Sequence, residues 1–205
     1  MKKTVLFVIL EQFADWEAAY LSSAIYMLGQ GDYEVKTVSL TKEKVNSIGG
    51  LSVMPDYDIQ SVPDSYEALI LIGGMTWRND NAKQITTLVE ECYKAGKVLG
   101  SICDASAFLG TTGVLNNVKH TSNSLEDLKQ WAGNVYTGTE NYIMHQAVSD
   151  KNIITANGTA ALEFAKEVLL ALKAAPDEKI NEWYNFHKLG LYTAPMPKMP
   201  DSWEK

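Results

Sequence analysis

Cysteine is scarce. Two residues in 205, Cys92 and Cys103, do not make a disulfide framework in a chain of this size, and neither stands in a metal-ligand spacing. This usage points to a reducing compartment, hence the cytoplasm, and to no metal or cofactor. Positive charge is short too: 18 Lys and Arg against 25 Asp and Glu leave a net charge of -7, with the cations scattered. That argues against a nucleic-acid groove or an anionic membrane surface and for small-molecule or peptide partners. No repeat, low-complexity segment or linker divides the chain. The opening run Thr4 to Leu10, behind Met1-Lys2-Lys3, has the outline of a short signal peptide. It lacks a small-residue cleavage site and ends in Glu11, so it reads as a first buried strand.

A hydrophobic fraction of 46% and a charged fraction of 21% are those of a soluble globular protein, and the length suits one domain with an ample core. The main domain is expected over 1–174, with a C-terminal helix and Pro-rich tail over 175–205 packed on the domain or on a partner. Continuous apolar runs at Thr4–Leu10, Tyr66–Ile72 and Lys97–Ile102 read as central strands, and Tyr33–Leu40 as another. Helical spacing follows from Trp16 to Leu28, with Asp15 placed to cap it, and from Asp80 to Ala95, where Cys92 faces inward. Lys42–Ile59 reads as a hairpin-like excursion. Further on, Asp104–Thr111 and Ser124–Ala132 read as short helices, Val118–Ser122 as a brief strand, and Asn141–Val148 and Asn152–Ala156 as strands. Helices from Gly158 to Leu172 and from Asp177 to Leu189 close the pattern. Strands alternating with helices at such loop lengths imply a flavodoxin-like, doubly wound parallel sheet with helices on both faces, an α/β/α sandwich.

The chemistry is expected where Val98–Ile102 ends at Cys103 and passes without a linker into a helix. A side chain on such a sharp turn is pushed out at the top of the sheet, near the unpaired N–H groups and positive end of the helix, conditions that favour a thiolate. The competing reading is a small buried thiol, and position alone does not separate the two. Gly73-Gly74, directly after another strand, can let backbone N–H groups approach an anion, although a tight turn would use the same pair. Ligands of doubly wound sheets bind beyond the carboxyl ends of the strands, which is where Glu11–Glu17, Gly73-Gly74 and Cys103 all lie.

With these residues in place the chain resembles the ThiJ/PfpI family of the class I glutamine amidotransferase-like superfamily, from Val5 through Leu172. The resemblance is carried, in order, by Phe13-Ala14-Asp15-Trp16-Glu17, Ile72-Gly73-Gly74, Ser101-Ile102-Cys103, Lys119-His120-Thr121-Ser122-Asn123 and Ile154-Thr155-Ala156-Asn157-Gly158. It implies that Cys103 is the nucleophile or oxidisable thiol and that Glu17 is the acid lying against its sulfur. Gly74 and the Asp104 N–H become the oxyanion donors, and the protein a homodimer. Two departures stand out. Asp104 follows the cysteine where the protease-like branch has histidine, and Asn123 stands where the deglycase-like branch has histidine. His120 lies three residues earlier, on the opposite parity of a regular strand, so it and Asn123 cannot both aim at Cys103. A bulge or a shift of register would make His120 the base, and otherwise it is a packed or surface residue. His145 and His187 have weaker claims. True glutamine amidotransfer is not expected, because Ala160-Ala161-Leu162-Glu163 lacks the histidine of the late dyad.

The resulting expectation is a cysteine-dependent hydrolase or lyase, protease-, deglycase- or glyoxalase-like, with Cys103, Glu17, Gly74, Asp104 and His120 as its site. The alternative is a non-enzymatic redox or stress-responsive protein whose Cys103 is reversibly oxidised.

Overall fold

The computed structural model describes residues 2–197. The first apolar run forms β1 (Lys3–Val8), followed by α1 (Asp15–Leu28) and β2 (Tyr33–Ser39). The excursion holds a two-stranded antiparallel ribbon, β3 (Val45–Asn46) with β4 (Ser52–Val53), and the short β5 (Tyr57–Asp58). Then come β6 (Ala68–Leu71), a 3-10 turn over Asp80–Ile85 leading into α2 (Thr86–Lys94), β7 (Val98–Ile102) and α3 (Asp104–Thr111). The chain closes with α4 (Leu125–Ala132), β8 (Ala147–Asp150), β9 (Ile153–Ala156), α5 (Ala161–Leu172) and α6 (Asp177–Leu189).

The main sheet runs β5-β2-β1-β6-β7-β9-β8. All its pairings are parallel except β8 with β9. The exception follows from the connection: Lys151 and Asn152, at φ +49° and +64°, make a two-residue turn, which joins only antiparallel strands. This is the doubly wound α/β/α sandwich expected from the sequence, with one antiparallel edge strand. Alternation along β1 sorts its side chains: Val5, Phe7 and Ile9 enter the core beneath α1, α5 and α6, while Leu6, Val8 and Leu10 enter the core beneath α2, α3 and α4. Cys92 is fully buried in the second core. Each wholly buried Leu or Ile side chain contributes about 1.5–3 kcal/mol by leaving water, so this double-sided burial holds the strand ends that carry the site.

Several local expectations are corrected. Asp15 does not cap α1; Ala14 is the cap residue, and the Asp15 carboxylate instead accepts from Ser47 Oγ at 2.6 Å and from the Gly49 N–H at 2.9 Å. Val118–Ser122 is not a strand: within it only His120 pairs, in an isolated bridge to Tyr142. Of Asn141–Val148 only the end is strand, because Thr139–Asn141 turns as 3-10 helix. The α5 helix begins at Ala161 rather than Gly158, which leaves Asn157 to Ala160 as a loop over the sheet edge. The expected surface or partner contact of the tail from Thr193 to Lys205 falls partly outside the described residues, as does Pro200. Among the described residues no helix is long and apolar enough to cross a membrane.

Candidate active site

β7 delivers Cys103 to the top of the sheet, and α3 starts at the next residue. The turn between them is sharp enough to put Cys103 in the left-handed region, at φ +63° and ψ -131°. A non-glycine residue there costs on the order of 1–3 kcal/mol and persists only when its surroundings over-determine it. They do: the Cys103 N–H donates to the Ala156 carbonyl at 2.9 Å, and Ser106 Oγ donates to that same oxygen at 3.0 Å.

Glu17, from the first turn of α1, reaches the sulfur from the other side. It has no exposed surface. Among the described residues neither carboxyl oxygen has a hydrogen-bond partner, although the Cys103 thiol and the Gly73 amide both face the group. Burial, ahead of every other influence, pushes the Glu17 carboxyl up to about 7. Burial and the Glu17 charge push the Cys103 thiol up to about 11, opposed by the Asn123 amide and the Asp104 N–H. Two acidic groups this close titrate as a pair, which keeps one proton from about pH 7 up to about pH 11.

Three glycines, Gly73, Gly74 and Gly158, make room around them. At Gly73 any side chain would collide with Glu17 Oε2 and come within 2.5 Å of Cys103 Cβ. At Gly74, φ +156°, a Cβ would lie 2.5 Å from the Gln12 carbonyl oxygen. Among the described residues nothing accepts the Gly74 N–H, whereas Met75 donates to Gln12 at 3.1 Å. Gly158 covers the sulfur: a Cβ on it would sit 2.8 Å from Sγ. The Trp16 indole holds that loop by donating to the Gly158 carbonyl at 3.3 Å.

The profile of the DJ-1/PfpI family matches residues 3–171. The chain belongs to the DJ-1/PfpI family. A Bacillus subtilis protein described as an uncharacterized protease is 38% identical over 193 residues, covering 93% of each chain. The crystal structure of a ThiJ/PfpI family protein from Bacillus anthracis superposes with a TM-score of 0.85 at 34% identity, over 92% of this chain and 91% of that one. A Thermococcus kodakarensis protein named as a deglycase is 30% identical over 123 residues, 58% of this chain and 70% of that protein.

Within this DJ-1/PfpI chain the histidines fall away from the thiol. His120 is fully buried and spent on both ring nitrogens: Nδ1 meets the Val118 carbonyl and Nε2 the Tyr136 hydroxyl, each at 2.8 Å. It packs edge-on to Tyr136 and Tyr142, and burial holds its imidazole below the usual histidine range, so it is neutral. The structure therefore does not bring His120 to Cys103. His187 bonds the Trp183 carbonyl at 2.9 Å on α6, and His145 lines an open groove. Asn123 takes the place by the sulfur, its Nδ2 3.4 Å from Sγ while its Oδ1 accepts from the Gly158 N–H at 2.8 Å. The groove encloses about 980 Å³ and runs outward from Asn123 and Gly158 past Tyr142 and Gln146 to Lys166 and Tyr184.

The Asp104 side chain turns away from the sulfur toward Arg78, which the sequence reading passed over. Arg78 Nη2 donates to Asp104 Oδ1 at 2.7 Å and Nε to Oδ2 at 3.0 Å. One signal was available: of 18 Lys and Arg residues, Arg78 alone is arginine. Gly158 reads from sequence as a helix start and as the end of the Ile154–Gly158 stretch, and its place over the sulfur depends on a tertiary approach that no local pattern encodes.

Proposed function

We propose that the protein is a cysteine-dependent hydrolase or lyase acting on a small carbonyl, amide or glycated substrate. Cys103 is the nucleophile, Glu17 its proton acceptor, and the N–H groups of Gly74 and Asp104 the donors to the developing oxyanion. The observation that carries this reading is the Cys103 sulfur on a left-handed elbow beside the buried Glu17 carboxyl, which has no hydrogen-bond partner among the described residues. The thiol proton passes to Glu17, and Sγ bonds to the substrate carbonyl carbon as the carbonyl π pair moves onto oxygen. The adduct oxygen then recovers the proton from Glu17, giving a hemithioacetal from an aldehyde. From an amide, the proton goes instead to the departing amine and an acyl-enzyme remains for water to hydrolyse. The activities named for relatives, protease and deglycase, belong to those proteins and support this class of chemistry here. The open groove beside Asn123 supports a substrate with a polar extension beyond the reacting carbonyl.

Purified protein is to be assayed against methylglyoxal, simple amides and peptides, with Cys103→Ser alongside. Turnover that Cys103→Ser abolishes supports the reading, and turnover that survives the substitution, or none in the parent, overturns it. A second reading, reversible oxidation of Cys103, is favoured by the Asn123 amide at 3.4 Å, which can donate to an oxygen added on sulfur. It requires mild peroxide to modify Cys103 well ahead of the buried Cys92. The homodimer and cytoplasmic location belong to the same proposal, and mass in solution checks the first.

A further inference from the structure

Arg78 lies in the loop after β6 and uses both edges of its guanidinium. One edge holds Asp104 through Nε and Nη2, and the other holds Asp127 through Nη1 at 3.1 Å and Nη2 at 2.6 Å. Its plane lies over Trp131, with Cζ 4.7 Å from the ring centroid. Three elements meet in this clamp: the β6 loop, the first residue of α3, and α4, which supplies Asp127 and Trp131. A lysine ammonium is a point charge without a planar fork and cannot make these contacts together. The chain has its single arginine at this position.

Asp104 is the residue after Cys103, and its charge bears on the Glu17 carboxyl that faces the sulfur. The groups facing the thiol are the Glu17 carboxyl from α1, the Asn123 amide before α4, the Asp104 N–H from α3, and the backbone of Gly73 and Gly158. The Glu17 carboxylate is the negative charge facing the thiol, and the Asp104 carboxylate, one residue along, bears on Glu17. Among the described residues Glu17 has no cationic partner and Asp104 has one, Arg78.

We propose that Arg78 is the positioning residue of the Cys103 site: by forking onto Asp104 it fixes the first turn of α3 beneath the elbow and cancels the negative charge beside the sulfur. The thiolate then forms at lower pH than it would beside a free Asp104 carboxylate. This rests on Cys103 being the reactive thiol, and the test separates the two claims.

The readout is the rate of iodoacetamide alkylation at Cys103 against pH, resolved from Cys92 by peptide mass spectrometry, with circular dichroism to verify folding. In the parent protein, alkylation of Cys103 that is no faster than that of Cys92 would remove the reactive-thiol reading itself. Given a reactive Cys103, Arg78→Gln is expected to move the midpoint of the profile up by about half to one unit, in line with loss of a nearby opposite charge screened by solvent. Arg78→Lys, which keeps the charge, moves it less than half as far. Adding Asp104→Asn to Arg78→Gln restores the parent midpoint, which a purely structural role for the clamp would not allow. Asp104→Asn alone lowers the midpoint by a similar half to one unit, because it removes the carboxylate and leaves the Arg78 charge in place; this variant carries the test if Arg78→Gln does not fold. An unmoved midpoint in Arg78→Gln, an equal shift in Arg78→Lys, a shift that persists in the double variant, or an unmoved midpoint in Asp104→Asn each overturns the assignment.

Discussion

The carboxamide of Asn123 bridges Cys103 and Gly158: Nδ2 faces Sγ at 3.4 Å and Oδ1 accepts the Gly158 N–H at 2.8 Å. The bridge fixes the amide orientation, because only the NH2 end can face the sulfur once the oxygen is committed to an N–H donor. A donor aimed at sulfur stabilises the thiolate more than the thiol, and so opposes the burial that pushes the thiol up. Asn123→Leu keeps the volume and removes the donor. The expected result is an upward shift of about one pH unit in the Cys103 alkylation profile, or about a tenfold slower reaction at neutral pH. An unchanged profile would show that the contact does nothing for the thiolate.

Glu17 ties the site to stability. Burial raises its carboxyl from 4.5 to about 7, so the folded chain holds this proton more tightly than the unfolded chain does. The sign follows from linkage: the folded state has the tighter proton, so ionisation between about pH 4.5 and 7 weakens folding, and the cost is fully present above that window. Glu17→Gln removes the ionisation. It should stabilise the protein by about 2–3 kcal/mol at pH 8 and by nearly nothing at pH 4, while slowing Cys103 chemistry. Urea melts of both proteins at the two pH values check this, and equal stabilities at pH 8 would contradict it.

The architecture was legible because its signals are local. A continuous apolar run from Thr4 to Leu10 admits few readings besides a strand covered on both faces, and Cys103 between such a run and a helix admits few besides an elbow. Parity could not settle which of His120 and Asn123 faces the sulfur, since it assumed a regular strand from Val118 to Ser122. The backbone there is irregular, and the side that faces the sulfur was decided by the His120 bonds to Val118 and Tyr136. Arg78 and Asp127 are 49 residues apart, and no periodicity links them. The Asp15 cap failed for a similar reason: its carboxylate found Ser47 and Gly49 in a distant loop.

His120 should matter to the fold and not to the thiol. Its ring nitrogens satisfy a buried carbonyl and a buried hydroxyl, so His120→Ala leaves both unpaired and opens a cavity beside Tyr136 and Tyr142. A loss of about 2–4 kcal/mol in unfolding free energy is expected, with the Cys103 alkylation rate held within about twofold of the parent. A large fall in alkylation rate in a variant that remains folded would return His120 to the site.

Gly158 provides the most direct steric test of the reacting face. Added to its backbone, a Cβ would stand 2.8 Å from Sγ, 3.2 Å from Cys103 Cβ and 3.2 Å from Glu17 Oε1. The loop cannot lift freely, because the Gly158 N–H is held by Asn123 and its carbonyl by the Trp16 indole. A methyl group there must either push the thiol off its rotamer or break those two bonds, at a cost of about 1–3 kcal/mol. Either outcome displaces Sγ from Glu17 and Asn123. Gly158→Ala is therefore expected to fold with reduced stability and to lose most Cys103 reactivity toward both iodoacetamide and any carbonyl substrate. Reactivity equal to that of the parent would mean that the thiol works in a position other than the one seen beneath Gly158.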